Sequence, residues 1–389
     1  MKSRTFFILL LIIISGCQYK NQKYKTADLP VIDISKNYPE RKIHLQDIAD
    51  VEYVQLETTD SVLLGLAVLR YVSDKYIILY DALQYEVFVF NRNGKILSHF
   101  NHRGQGGQEY IIISNLFFDE KNEEIFVSDF SVHRILVYSI AGEYKRTIKY
   151  SKDFVFLYAY NFDDSTILVY DLAMDNKNYS HQPYKFISKK DGSIVSDIDI
   201  RLPVRYTNRV VEEIDMGGGK KGTTARYIDT SNNLYYGQDF VLSEISSDTI
   251  YRLTRSRELT PMLVRTPSVH SSQPPIVWCT YWTNDKFILL KKMILDPIAF
   301  EKGQETPSKM LMYEFESGKT NKVSFVCDDL SGKEWNPDVI VVGVDIPKNM
   351  FAELYPARAF IKNYNGKAFE GEKMPNEEDN PLVMIVKLK

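Results

Sequence analysis

The stretch from Asn101 to Tyr110 (NHRGQGGQEY) carries the densest group of side chains able to hold a ligand. Arg103, Gln105, Gln108 and Glu109 stand among Gly104, Gly106 and Gly107. A guanidinium and carboxamides are planar groups that suit a sugar or a carboxylate. The same residues allow a plainer role, in which Arg103 and Glu109 pair locally and stitch neighbouring units of the fold. Asp81, Asp129 and Asp171 each end an apolar run. A ring of carboxylates would suggest a metal. An Asp at a strand end, however, commonly accepts hydrogen bonds from the backbone of its own turn, and that is the preferred reading.

Other groups point away from catalysis. Gly217 to Thr223 (GGGKKGT) is rich in glycine and lysine, but a phosphate loop needs Gly-Lys-Ser/Thr at its end, and Gly222 is followed by Thr223. It reads as a hairpin tip or loop. His44, His99, His102, His133, His181 and His270 show no metal-ligand spacing, and no Gly-x-Ser-x-Gly nucleophile turn occurs. Trp278, Tyr281 and Trp282 could stack on a sugar, but two Trp at alternating spacing on one strand face belong to a core. No cofactor and no metal site is expected. Cys279 and Cys327 are expected on non-neighbouring strands of one unit, beyond disulfide reach, as buried free thiols.

The elements that position these groups repeat. Tyr76 to Gly94 (YIILYDALQYEVFVFNRNG) is echoed 48 residues on by Glu124 to Gly142 (EIFVSDFSVHRILVYSIAG). Each unit runs strand, Asp, strand ending in an aromatic (Phe90, Tyr138), then a turn glycine (Gly94, Gly142). A period in the forties with this order is the mark of a β-propeller blade. The 26 Tyr and 21 Phe fit half-buried strands. The spacing predicts a first blade over Ala67–Val72, Tyr76–Tyr80, Val87–Phe90 and Ile96–Phe100, with Asn93-Gly94 as a hairpin turn whose central positions both accept positive φ. Blade two contains Ile125–Ser128, Ile135–Tyr138 and Tyr144–Tyr150. Blade three contains Thr166–Tyr170, an insertion Leu172–His181 and Tyr184–Ser188. Blade four shows Leu234–Tyr236, Thr249–Leu253 and Pro261–Val264. Blade five runs Val277–Trp282, Phe287–Lys291, Met310–Phe315 and Lys322–Val326. Blade six has Val339–Val342, a short helix Asn349–Tyr355, and Val383–Leu388. Thr207–Arg226 alternates too little to be a seventh unit. The expected fold is therefore all-β: a six-bladed propeller closed by pairing of an N-terminal strand, Val51–Leu56, with the C-terminal one. Closure removes two exposed sheet edges.

The N-terminus has a different character. Lys2 and Arg4 precede the apolar run Phe6–Ile14, which is too short to span a bilayer but the right length for a signal peptide. Ile14-Ser15-Gly16-Cys17 resembles the lipobox of bacterial lipoproteins, which implies cleavage before Cys17 and acylation of its thiol. Residues 1–16 are then a signal peptide, 17–40 the lipidated Cys and a flexible tether, and 41–389 the propeller. Further in, Asp129, His133, Arg134, Ile135 and Gly142 match the pattern of the NHL repeat. Together with Asn91–Lys95, Arg103–Tyr110, Ser247–Leu253 and Asn380–Lys389, the chain resembles the six-bladed β-propeller lipoproteins of Bacteroidetes. In those lipoproteins an acidic pair after the Cys marks surface export; it is missing here, so the resemblance implies an outer-membrane lipoprotein of the cell envelope facing the periplasm.

Charge narrows the partners. With 48 basic and 51 acidic side chains and no long basic run, nucleic acid is excluded as a partner. The function expected is a non-catalytic module that binds a small ligand, such as a glycan or peptide, or another envelope protein. The alternative is a propeller enzyme, a lyase or hydrolase, with a metal-dependent site at the central channel.

Overall fold

The computed structural model describes residues 29–153, 155–171, 182–206, 209–215, 221–227, 233–236, 239–296, 298–299, 302, 304, 307–335, 345–347, 349–365 and 374–389. The strands in chain order are β1 (Val31–Asp33), β2 (Glu40–His44) and β3 (Ala49–Gln55). Blade one follows with β4 (Ala67–Val72), β5 (Tyr76–Asp81), β6 (Glu86–Asn91) and β7 (Ile96–Phe100). Blade two is β8 (Asn115–Asp119), β9 (Glu124–Asp129), β10 (Arg134–Ser139) and β11 (Tyr144–Lys149). Blade three is β12 (Phe156–Asn161), β13 (Thr166–Asp171), β14 (Tyr184–Ser188) and β15 (Ile194–Asp197). A hairpin, β16 (Arg209–Asp215) with β17 (Lys221–Tyr227), intervenes. Blade four is β18 (Asn233–Tyr236), β19 (Asp239–Leu242), β20 (Thr249–Leu253) and β21 (Leu259–Thr266). Blade five is β22 (Ile276–Thr283), β23 (Phe287–Ile294), β24 (Ser308–Glu314) and β25 (Thr320–Cys327), with β26 (Lys333–Trp335) on β25. Blade six has β27 (Met350–Tyr355) and β28 (Leu382–Leu388).

The ring is a six-bladed β-propeller, and it closes as expected. β3 pairs antiparallel with β28 over seven positions, from Ala49↔Leu388 to Gln55↔Leu382, so the first part of the chain supplies the outer strand of blade six. The cores give the same answer. Six apolar clusters lie one between each adjacent pair of blades, and the last joins Val383 and Ile385 of blade six to Leu69 and Phe88 of blade one. Because the first three blades are covered on both faces, their second strands are buried almost throughout rather than alternating. β5, β9 and β13 are buried along almost their whole length.

Several expectations are corrected. Met350–Tyr355 is not a helix but a strand paired with β28. Its modest helix preference yields to a sheet position buried on both sides. Asn349, at φ 64°, opens it, and Pro356, lacking an N–H, ends it; the helix α1 comes next, at Ala357–Asn363. The turn at Asn93 is different too: only Gly94 takes a positive φ, 80°, and a bulge falls between Val89 and Phe90. A Cβ on Gly94 would lie 2.0 Å from the Gln55 carbonyl oxygen, so the glycine also lets this turn seat on the closing strand. The contacts of the ring begin before residue 41: β1 lies parallel to β21 of blade four and β2 parallel to β25 of blade five. The expected strand Val339–Val342 and the insertion Leu172–His181 lie outside the described residues.

Candidate functional site

In a meander of four antiparallel strands, the C-terminal ends of the second and fourth strands fall at the same end of the blade. Here that end is where the chain leaves β7, β15, β21, β23, β25 and β27 for its longest connections, among them 101–114 and 267–275. The opposite end carries tight turns, such as those closed by Ser139 N–H to Glu143 O (2.8 Å) and Glu314 N–H to Lys319 O (2.9 Å). Long connections on a rigid scaffold are where binding groups concentrate, so the loop-bearing end is the candidate site.

The strand-end Asp residues support that end rather than line it. Asp81 is fully buried; one oxygen accepts from the N–H groups of Leu83 (2.7 Å) and Gln84 (3.0 Å), the other from Gly65 N–H (2.5 Å). Asp129 repeats the device with Ser131 (3.1 Å) and Ile111 (2.8 Å). One carboxylate oxygen therefore closes the Asp's own turn, as expected, and the other fastens the connection arriving from the preceding blade. Asp171 is buried as well, and its carbonyl accepts from Arg205 (2.5 Å).

The Arg103 loop is braced from behind. Arg134 donates to the carbonyls of Glu109 and Gly106, Tyr138 OH donates to Gln108 O (2.7 Å), and the buried Tyr110 donates to Tyr85 O (2.7 Å). His102 stacks on Tyr138, with centroids 5.0 Å apart, and its Nε2 meets Gly142 O at 2.7 Å. The loop does stitch blade one to blade two, but not through an Arg103–Glu109 pair. Glu109 turns inward to accept from Gly106 N–H (2.8 Å), while the exposed Arg103 guanidinium lies over the Tyr85 ring at 4.6 Å. Gln105 and Gln108 are exposed, and their side chains have no hydrogen-bond partner among the described residues.

A second group at this end escaped the reading of the sequence. Glu244, on the segment leaving β19, occupies the place that Asp81, Asp129 and Asp171 hold in the first three blades. It is fully buried and accepts from Tyr170 OH (3.0 Å) and Ser246 N–H (2.6 Å). Burial raises its pKa above the ordinary carboxylate value, and the neighbouring Arg205 offsets this only in part. Arg205 lies over Tyr170 (5.4 Å), Tyr206 N–H reaches Ser246 Oγ (2.7 Å), and Tyr206 OH meets His270 Nδ1 (3.1 Å). The chain of contacts runs from buried carboxyl to exposed imidazole. Chemically it is a positioning network, since Glu244 itself cannot touch solvent. The signal that could have found it is the run Asp239–Glu244 (DFVLSE), which parallels YIILYD and EIFVSD once Glu is allowed for Asp.

The remaining candidates resolve individually. Trp278 and Trp282 are both core, but on opposite faces: a bulge between Thr280 and Trp282 sends Trp278 to the junction of blades four and five and Trp282 to that of five and six. Cys279 and Cys327 are buried thiols outside any disulfide; Tyr53 OH lies 3.4 Å from Cys327 Sγ. His99 pairs with Glu86 (2.6 Å) and His44 with Asp328 (2.7 Å). Among the described residues, no three of His, Cys, Asp and Glu gather in a metal-holding group. The tip between β16 and β17 (216–220), and with it the Gly217 glycines, lies outside the described residues, as do Cys17 and His181. Among the described residues no helix is long and apolar enough to cross a membrane.

With this geometry established, comparison with known proteins adds a family. A family model described as a domain of unknown function (DUF4934) matches residues 29–387. A solved structure of an exported protein from Bacteroides fragilis NCTC 9343 is similar over 90% of this chain and 99% of its own, with TM-score 0.59 and 15% identity. A DUF4221 member from Bacteroides vulgatus ATCC 8482 is similar over 88% of this chain and 99% of its own, with TM-score 0.46 and 11% identity. The curated proteins give no match.

Proposed function

Because the chain belongs to the DUF4934 family, we propose that it is an envelope propeller, anchored through a lipid on Cys17, that binds a ligand or another envelope protein at its loop-bearing end without catalysing a reaction. One observation carries this reading. The Asn101–Tyr110 loop is held rigid by Arg134, Tyr138 and Tyr110, while Arg103, Gln105 and Gln108 are left facing outward. Fixed polar groups bind at lower entropic cost than mobile ones. Glu109 serves the loop's own turn, so its part in binding is to hold the other three in place. The planar groups suit a glycan or the backbone of a peptide. The lipobox-like Ile14–Cys17 supports export to the outer membrane, with the propeller in the periplasm.

The test is recovery of partners from solubilised membranes, alongside a glycan and peptide screen by thermal shift. The comparison is between the native chain and a variant carrying Arg103→Ala, Gln105→Ala and Gln108→Ala. The expected result is one partner or ligand class retained by the native chain and lost by the variant at unchanged melting temperature. An equal yield from both, or none from either, overturns it. A metal-dependent lyase or hydrolase would instead show stoichiometric metal in the purified protein.

A further inference from the structure

Four large apolar side chains stand in the open around the Arg103 loop. They are Leu66, Leu83, Ile111 and Val132, each between 36% and 66% exposed. Single exposed apolar residues are ordinary, but these four are gathered by the strand-end Asp residues. Asp81 takes the N–H of Gly65 on one oxygen and that of Leu83 on the other, and Leu66 O accepts from Ala82 N–H (2.8 Å). A Cβ on Gly65 would meet Leu83 Cδ1 at 3.6 Å, so the leucine lies against that backbone. Asp129 likewise draws Ile111 to the β9–β10 turn that carries Val132, through the N–H groups of Ile111 and Ser131. Two aliphatic pairs result, one on blade one and one on blade two.

The Arg103 loop lies between the pairs. Asn101 Nδ2 donates to Gln84 O (3.0 Å) and the Arg103 guanidinium covers Tyr85, so the loop starts against the turn that carries Leu83. At its far end Arg134, two residues beyond Val132, clasps Gly106 O and Glu109 O, and Ile111 follows Tyr110 directly. The charges of these segments are mostly engaged. Asp81 and Asp129 serve their turns, Glu109 takes Gly106 N–H, Glu86 meets His99 Nδ1 (2.6 Å), and Arg134 holds the two carbonyls. Arg103 is the exception: it is exposed, and its guanidinium has neither an ion pair nor a hydrogen bond among the described residues. The rings are engaged too. Tyr85 packs on the core under Arg103, His102 stacks on Tyr138, and Tyr110 is buried. A sugar would meet aliphatic side chains here instead of a ring to stack on. A bilayer surface calls for several cations with Trp or Phe, and one free cation does not supply that. Exposed aliphatic surface gains only from an apolar partner that takes it out of water.

We propose, resting on the binding role of this loop, that its partner is a polypeptide, which lays aliphatic side chains on the Leu66–Leu83 pair and on the Ile111–Val132 pair and brings a carboxylate to Arg103 between them. Gln105 and Gln108 each carry a donor and an acceptor, which suits main-chain amides of the same segment. The aliphatic pairs supply the anchors and the lone cation the preference for acid.

A random peptide library displayed on phage is the probe, selected on the full chain, with the selected peptides then titrated by fluorescence anisotropy. The enriched sequences should carry Asp or Glu between aliphatic residues. Binding should weaken about tenfold or more with Leu83→Ser plus Val132→Ser, and return with Leu83→Met plus Val132→Ile. Both positions are exposed and their turns are held through the main chain, so the melting temperature stays unaltered. Changing the peptide's acid to its amide should weaken binding to the native chain but not to Arg103→Ala. A peptide or glycan lost by the variant carrying Arg103→Ala, Gln105→Ala and Gln108→Ala, yet indifferent to the serine pair, overturns the aliphatic assignment and leaves the loop as the binding site. Peptides unmoved by the alanine triple overturn the binding role of the loop as well. Failure to enrich any peptide, or tighter binding of phosphatidylethanolamine–phosphatidylglycerol vesicles by the native chain than by the serine pair, overturns the assignment.

Discussion

At the junction of blades one and two, Glu109 sits in a partly exposed loop and is satisfied by the N–H of Gly106, three residues away. At the junction of blades three and four, Glu244 is fully buried and draws on Tyr170 of the neighbouring blade, with Arg205 close by. Both carboxylates brace the same end of the propeller. The first brace is made mainly of main-chain carbonyls clasped by Arg134 and Tyr138, and its outward face is left open. The second is made of ionisable side chains removed from water, where each depends on the others. A brace built on backbone tolerates change in the side chains it displays; a brace built on buried charge does not.

The largest break in this contrast should come from Glu244→Ala. Removing one member of a buried polar network leaves Tyr170 OH and Ser246 N–H without their acceptor and takes a carboxyl away from Arg205, at a cost of about 3–5 kcal/mol; urea unfolding should show the midpoint fall sharply, and a loss under 1 kcal/mol would abolish the distinction. A third buried carboxyl sharpens it. Glu353 has one oxygen bonded by Trp335 Nε1–H (2.6 Å) and the other unpartnered; burial pushes its pKa up to about 7, the Trp335 bond opposing. The folded state therefore holds this proton more tightly than the unfolded state does. The stability this gives is full below the unfolded pKa of about 4.5 and is lost as pH rises through about 7, a difference of roughly 3 kcal/mol. Glu353→Gln should accordingly be more stable than the native chain at pH 8 and close to it at pH 4, as read by unfolding at both pH values.

The backbone clasp is tested next. Arg134→Ala removes the charged donors to Glu109 O and Gly106 O and should cost about 1.5–3 kcal/mol, with hydrogen exchange quickening across 104–110 and unchanged around Glu244. Smallest of all, Gln105→Ala and Gln108→Ala should each alter stability by less than about 0.5 kcal/mol. A larger thermal shift in either would mean that these side chains serve the fold rather than face outward to a ligand.

The architecture was legible because the strand–Asp–strand–Gly unit is local and repeats. What escaped was set by contacts distant in sequence. Asn115–Asp119 (NLFFD) and Phe156–Asn161 were missed as inner strands because, with both faces covered, they lack the alternation that marks a half-buried strand. Met350–Tyr355 has residues acceptable to a helix, and only the register with Leu382–Lys387 makes it a strand. The loop around Arg103 was found, but its internal bonding was not, since Arg134 and Tyr138, which hold it, lie in the next blade. Glu244 escaped because the strand leading to it, Asp239–Leu242, was not recognised. The bulge beside Trp282 leaves no mark in the spacing of the aromatics.

The segment before blade one has a mechanical consequence. Val31–Asp33 is laid along blade four, Glu40–His44 along blade five, and Ala49–Gln55 completes blade six. A pull applied at residue 30 must strip the first strand and then the second before tension reaches the seam that holds the circle shut. The two outer strands act as sacrificial fuses in series, so tugging from an anchor would be absorbed over half the circumference while the seam stays intact.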